Sequence, residues 1–131
     1  MKIKQVSVFV ENKAGRLVAI LEALEKRKIS IRALSVGDAA EIGIVRMILT
    51  DADEGLEELR KAGFTTRMDW VISTEIPDVT GGLLQTVVKP MAKAGINLLY
   101  LYAYTEPSTG KTVAVIKTDD LEKAETVLKP R

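Results

Sequence analysis

The heptapeptide "ENKAGRL" at Glu11–Leu17 returns in altered form as "PDVTGGL" at Pro77–Leu83, 66 positions further on. Each copy follows a run of β-type residues and precedes a helix-type pattern. A polar, glycine-bearing turn made twice in the same context restricts the chain to folds built from two like units, and a repeat outranks local propensity in deciding architecture. The match extends well beyond the turn. Val10 to Leu17 lie over Ile76 to Leu83, "ISIRAL" lies over "INLLYL" after one extra residue, and "VRMILTDADEGLEEL" lies over "VAVIKTDDLEKAETVL" with small length adjustments. Two units, residues 1–70 and 71–131, account for nearly the whole chain.

Within the first unit the hydrophobic period changes from two to 3.6. Val6, Val8 and Val10 alternate as in a half-buried strand, whereas Leu17, Ile20, Leu21 and Leu24 recur at the spacing of one helix face. Ile29–Val36 and Ile42–Leu49 read as strands parted by the turn-like "GDAAE". Asp51–Ala62 reads as a helix with acids in its opening turn and Gly63 placed to end it. A strand over Thr65–Asp69 completes β-α-β-β-α-β. The second unit offers a strand at Val71–Ile76, a helix over Gly82–Ala94, strands at Ile96–Tyr104 and Thr112–Lys117, and a helix at Asp120–Leu128. No closing strand follows "VLKPR". The expected fold class is therefore α+β, two ferredoxin-like βαββαβ units in tandem, the second lacking its last strand. The strand beside the missing one becomes an edge, to be covered by the "TTRMDWVISTEI" segment or by a second copy of the chain. Pro90, inside a helical pattern, predicts a kink.

Composition narrows the chemistry. The chain has no cysteine and no histidine, which removes disulfides, thiolate nucleophiles, Cys-type zinc sites, and the commonest general base and metal ligand. No paired lysine and carboxylate in a polar setting takes their place, so the chain reads as a non-enzyme without a cofactor. Net charge is +1 and evenly spread: Met1 to Asp69 carries 12 basic and 11 acidic residues, and Trp70 to Arg131 carries 7 and 7. Neither half has the excess of lysine and arginine that nucleic acid or an anionic membrane surface requires, so neither is expected as a partner. The densest basic run, Lys26–Lys28, closes a predicted helix, where cations complement the dipole. Apolar stretches fall well short of the ~20 residues that cross a bilayer, and Gln5 and Ser7 interrupt the segment where a signal peptide needs an apolar core. A cytoplasmic protein is expected.

Two further motifs resolve into local structure. "STGKT" at Ser108–Thr112 has Thr105 where a phosphate loop needs glycine, and a strand follows it instead of a helix, so a hairpin turn is expected. Asp51 with Asp53, and Asp119 with Asp120, each open a helix, where acids are favoured, and no third ligand is spaced for calcium.

The repeated turn has the form N-x-x-G at Asn12–Gly15 and D-x-x-G at Asp78–Gly81. Asn or Asp between a strand and a helix can accept hydrogen bonds from the next turn and cap it. The glycines ask for more, because glycine in a first helical turn costs up to ~1 kcal/mol against alanine and leaves the backbone open to close approach. Free N–H groups at a bare helix start suit a carboxylate, and Asn12 or Asp78 can meet an ammonium group or shape the loop.

On these residues the chain resembles a tandem ACT-domain protein, the small-molecule-binding module of amino-acid metabolism. Both turns match the family's Asp/Asn-x-x-Gly signature, and "ISI" and "INL" mirror its second strand. Ala14 and Thr80 stand where the family often has proline before the glycine. The resemblance implies that a free amino acid binds where ACT units meet. It nominates Asn12, Ala14, Gly15, Arg16 and Leu17 in the first unit and Asp78, Thr80, Gly81, Gly82 and Leu83 in the second. Arg16 against Gly82 is the sharp difference between the loops: the arginine can pair with a ligand carboxylate or extend into water. The implied protein is a ligand sensor, a homodimer, acting on a separate enzyme or pathway protein. Tyr100, Tyr102 and Tyr104 alternate on one strand face with Leu99 and Leu101 on the other. That tyrosine face could be core, interface or pocket wall. An alternative reading makes it an RNA-binding platform.

Overall fold

The structure, a computed structural model, describes residues 1–11, 13–39 and 41–128, the side chains of 38 and 39 excepted. It divides into two compact units, one spanning Lys4–Asp69, the other running from Trp70 onward and including Met1–Ile3.

The N-terminal unit contains β1 (Lys2–Glu11), α1 (Arg16–Lys26), β2 (Ile31–Ala39), β3 (Ile42–Leu49), α2 (Ala52–Lys61) and the start of β4 (Thr65–Ile76). Its strands run β2-β3-β1-β4, with β3 antiparallel to both β1 and β2. Alternation along β1 sends Val6 and Val8 into the core. There they meet Ile20, Ala23 and Leu24, the i, i+3, i+4 stripe of α1, together with Met47 and Leu59.

In the C-terminal unit β4 continues, a π-helical stretch (Leu84–Val88) leads into α3 (Lys89–Lys93), and β5 (Leu98–Thr105), β6 (Thr112–Thr118) and α4 (Leu121–Leu128) follow. The strand order is β4-β6-β5, all antiparallel. A second core gathers Ile72, Val87, Met91, Ile96, Ile116 and Ala124. The place of the missing last strand is taken by the first residues of the chain: the Ser73 N–H donates to the Met1 carbonyl at 2.8 Å, and the Met1 nitrogen donates to the Ser73 carbonyl at 3.2 Å. The "TTRMDWVISTEI" segment is β4 itself, and what lies along its C-terminal half is Met1–Ile3.

The repeat holds at the level of single hydrogen bonds. α1, α2 and α3 end alike, with the N–H of Ile29 reaching the Leu24 carbonyl at 3.1 Å, that of Phe64 the Leu59 carbonyl at 3.0 Å, and that of Ile96 the Met91 carbonyl at 2.9 Å. The residues just before these donors, Lys28, Gly63 and Gly95, have φ of 57°, 91° and 72°, the left-handed turn of a Schellman close. Asp51 and Asp120 cap α2 and α4, accepting from Glu54 N–H at 3.0 Å and Lys123 N–H at 3.1 Å. "STGKT" forms the hairpin turn between β5 and β6, where Gly110 N–H donates to the Glu106 carbonyl at 2.8 Å.

Four sequence expectations change in detail. The two strands read at Thr65–Asp69 and Val71–Ile76 are one strand, β4, since Trp70 is a β former and no breaker separates them. Val45, laid over Val113 by letters, has Ala114 as its structural counterpart, because Val45 and Ala114 both face their cores. A one-residue slip on a strand exchanges its faces. Leu99 does not share a face with Leu101: a bulge between Leu98 and Tyr100 leaves Leu99 exposed, while Leu98 and Leu101 pack on the core. Pro90 sits beyond a π turn, in which the Lys89 N–H bonds back five residues to the Leu84 carbonyl. Among the described residues no helix is long and apolar enough to cross a membrane.

Candidate functional site

In the N-terminal unit the chain leaves β1 at Glu11 and enters α1 at Arg16 through three backbone bonds. Lys13 N–H donates to the Glu11 carbonyl at 2.8 Å, Arg16 N–H to the Lys13 carbonyl at 3.3 Å, and Ala19 N–H to the Gly15 carbonyl at 3.1 Å. In the C-terminal unit the same bonds recur 66 positions on, each at 2.9 Å: Val79 to Pro77, Gly82 to Val79, and Gln85 to Gly81. Gly15 and Gly81 occupy the same left-handed backbone, with φ of 88° and 79°, a conformation open to glycine at little cost. Gly15 is the N-cap of α1 and has no side chain to offer its amides. The first-turn amides of any α-helix lack intrahelical partners, and the positive end of the dipole lies with them.

Of the nominated residues, Asn12 lies outside the described residues. Ala14, Gly15, Arg16 and Leu17 are exposed, as are Asp78, Thr80, Gly81 and Leu83. Gly82 is buried, and a Cβ on it would run into the Pro77 carbonyl. The adjacent glycines thus have separate causes, a left-handed φ at Gly81 and close approach of the chain's own backbone at Gly82. A Cβ built on Gly15 meets nothing within 4 Å.

Beside the first loop the N-terminal unit holds a cleft of about 380 Å³. Phe9, Val10, Ile42 and Phe64 supply apolar walls, Glu11 and Arg16 supply charge, and Gly63 and Thr65 complete the lining. The sheet assembles these residues: Glu11 and Ile42 are cross-strand partners on β1 and β3, and β4 starts beside β1. Gly63, with φ of 91°, turns the chain out of α2 so that Phe64 reaches both core and cleft. The Lys13 ammonium lies 2.8 Å from Glu11 Oε2. That hydrogen bond, then the charges of Lys13 and Arg16, hold the Glu11 carboxyl below the usual carboxylate range against a smaller desolvation effect. Arg67 stacks 5.8 Å from the Phe9 ring centroid and pairs with Asp69 at 3.0 Å. The volume falls at the small end of small-molecule sites.

The sequence matches the family described as an ACT domain pair over residues 1–130. The chain belongs to that family. Among solved structures, this ACT pair is similar to a protein from Bacteroides thetaiotaomicron, at 30% identity and a TM-score of 0.89 over 98% of this chain and 87% of the other. It shares its fold with the ligand-free regulatory subunit of aspartate kinase from Thermus thermophilus, at 18% identity and a TM-score of 0.67 over 95% and 87% of the two chains. The corresponding subunit from Thermus flavus aligns at 17% identity and a TM-score of 0.63 over 98% and 91%. No curated protein matches the chain.

The two ACT units differ in what surrounds their loops. Sixty-six positions on from Phe9, Glu11 and Arg16 stand Glu75, Pro77 and Gly82. The C-terminal loop therefore repeats the backbone without the ring or the guanidinium, and its carboxylates, Glu75 and Asp78, stand at other positions than Glu11 does. Sequence reasoning missed Phe9, Ile42, Phe64 and the turn at Gly63–Thr65. One signal was present: both phenylalanines of the chain line this cleft. Tyr100, Tyr102 and Tyr104 lie on β5, half-buried.

Proposed function

We propose that this ACT pair is a non-enzymatic regulatory protein that binds a free amino acid at a glycine loop and reports occupancy to a separate enzyme or pathway protein. The observation carrying this reading is the recurrence of one loop backbone, bond for bond, in two units whose loop side chains differ. A backbone kept constant while its side chains vary suits a site that works through amide groups. Such amides, at the positive end of a helix, favour a carboxylate. Ala14, Gly15, Arg16 and Leu17, with Asn12 beside them in sequence, are the candidates at the first loop, and Asp78, Thr80, Gly81, Gly82 and Leu83 are the candidates at the second. The aspartate kinase regulatory subunits of Thermus are separate chains of the same fold, and the regulatory role is extended from them to this chain by analogy.

The mechanism is linkage. A ligand that prefers one arrangement of the protein shifts the equilibrium by its differential affinity, and couplings of about 1–3 kcal/mol are typical. A thermal-shift screen against the standard amino acids tests the reading. A ligand at 100 times its dissociation constant should add about 2.7 kcal/mol of stability. A screen in which no amino acid raises the melting temperature defeats it.

A further inference from the structure

Resting on that reading, we propose that the cleft beside the first loop is the selective site: it takes one α-amino acid with a large apolar side chain per chain, and the C-terminal loop takes none. An α-amino acid presents a carboxylate, an ammonium group and a side chain within a few ångströms, and the cleft has a complementary group for each. The exposed Arg16 lines the cleft, and its planar fork suits a carboxylate. Glu11 holds the Lys13 ammonium 2.8 Å from its Oε2. A carboxylate has about four lone-pair sites, so it retains capacity for a ligand ammonium group. Phe9, Val10, Ile42 and Phe64 then face the ligand's side chain.

These walls discriminate. Each methylene moved from water onto them tightens binding by roughly fourfold, so alanine recovers little of what leucine or phenylalanine gains. An aspartate side chain would bring a second carboxylate against apolar walls and close to Glu11, which costs free energy unless it is paired. The cleft of about 380 Å³ has room for the larger residues. At the other loop Gly82 stands in place of the guanidinium, Glu75, paired with Lys111 at 3.4 Å, stands in place of the Phe9 wall, and the Pro77 carbonyl fills the space that a Cβ on Gly82 would need.

Isothermal titration calorimetry on the full chain with L-phenylalanine, L-leucine, L-alanine and L-aspartate tests the proposal. Phenylalanine or leucine should bind with one site per chain, alanine at least about tenfold more weakly, and aspartate without measurable heat. Arg16→Gln, at an exposed position, should raise the dissociation constant about tenfold or more with an unchanged melting temperature. Ile42→Trp, which fills the cleft, should abolish binding. Two sites per chain, a preference for alanine or aspartate, or a dissociation constant unmoved by both variants would overturn the cleft assignment while leaving amino-acid sensing intact. Absence of heat from every standard amino acid would remove both proposals together.

Discussion

The carbonyl of Pro77 occupies the space that a side chain on Gly82 would need. The obstacle is backbone, and it cannot swing aside as a side-chain end would. Gly82→Ala should therefore cost about 2 kcal/mol, in the range for overpacking a tight contact. Arg16→Ala, at the same position of the other unit and exposed, should stay within about 0.5 kcal/mol of the parent. Urea denaturation of both variants measures the contrast. Equal stabilities would mean that the second loop is not closed in this way.

Asp51 and Asp120 each cap a helix through a hydrogen bond of 3.0 Å and 3.1 Å to the amide three residues on. Asp51→Ala and Asp120→Ala should each lose about 1 kcal/mol, and the asparagine variants should lose much less, because asparagine retains the acceptor. Chemical denaturation of the four proteins decides it. A loss as large in the asparagine variants as in the alanine ones would assign these carboxylates another role.

Met1–Ile3 lie along the C-terminal half of β4. A chain beginning at Lys4, released from a cleavable fusion, should be less stable by about 1–3 kcal/mol, since two backbone hydrogen bonds at about 0.5–1.5 kcal/mol each are lost. Hydrogen exchange gives the local readout: the Ser73 amide, bonded to the Met1 carbonyl at 2.8 Å, should exchange far faster in the shortened chain. An unchanged Ser73 rate would show that those residues do not pair there.

Glu11 sets the expected pH response of the first loop. Its carboxyl is held below the ordinary range, first by the Lys13 hydrogen bond and then by the charges of Lys13 and Arg16. Folding therefore favours the ionised form. This contribution is complete above the unfolded pKa of about 4.3 and fades as pH falls through the lower folded value. The melting temperature of the parent should exceed that of Glu11→Gln by a small margin at neutral pH, and the margin should close as pH falls below the ordinary carboxylate range. High salt should shrink it as well, since the Lys13 and Glu11 side chains are both exposed. A margin that widens in acid would contradict the pairing.

Much of the fold is legible in the amino-acid sequence. The alternation of Val6 and Val8 and the spacing of Ile20 and Leu24 did place those residues in one core, because a period of two or of 3.6 leaves a stripe that has to be buried. The turns are legible for a related reason: Asp51 and Gly63 mark the start and stop of α2 by local chemistry alone. The errors were ones of register. A bulge at Leu99 moved that residue out of line with Leu101, and the lettered match of Val45 to Val113 slipped by one. A bulge leaves almost no mark in composition, yet it reverses which face each later side chain takes.

The sequence alone determined that the chain is two copies of one unit, that each copy opens its first helix with a glycine-bearing turn, and that cysteine and histidine chemistry is absent. Those properties depend on residue type and short-range spacing. Only the tertiary structure decided that Phe64 and Thr65 stand with Phe9, Glu11 and Arg16 around one cleft, and that Met1–Ile3 finish the sheet of the second unit. Strand backbones present the same donors and acceptors whatever their side chains. Which strand lies beside which is therefore settled by packing between residues distant in sequence, and the cleft exists only once β4 has been laid against β1.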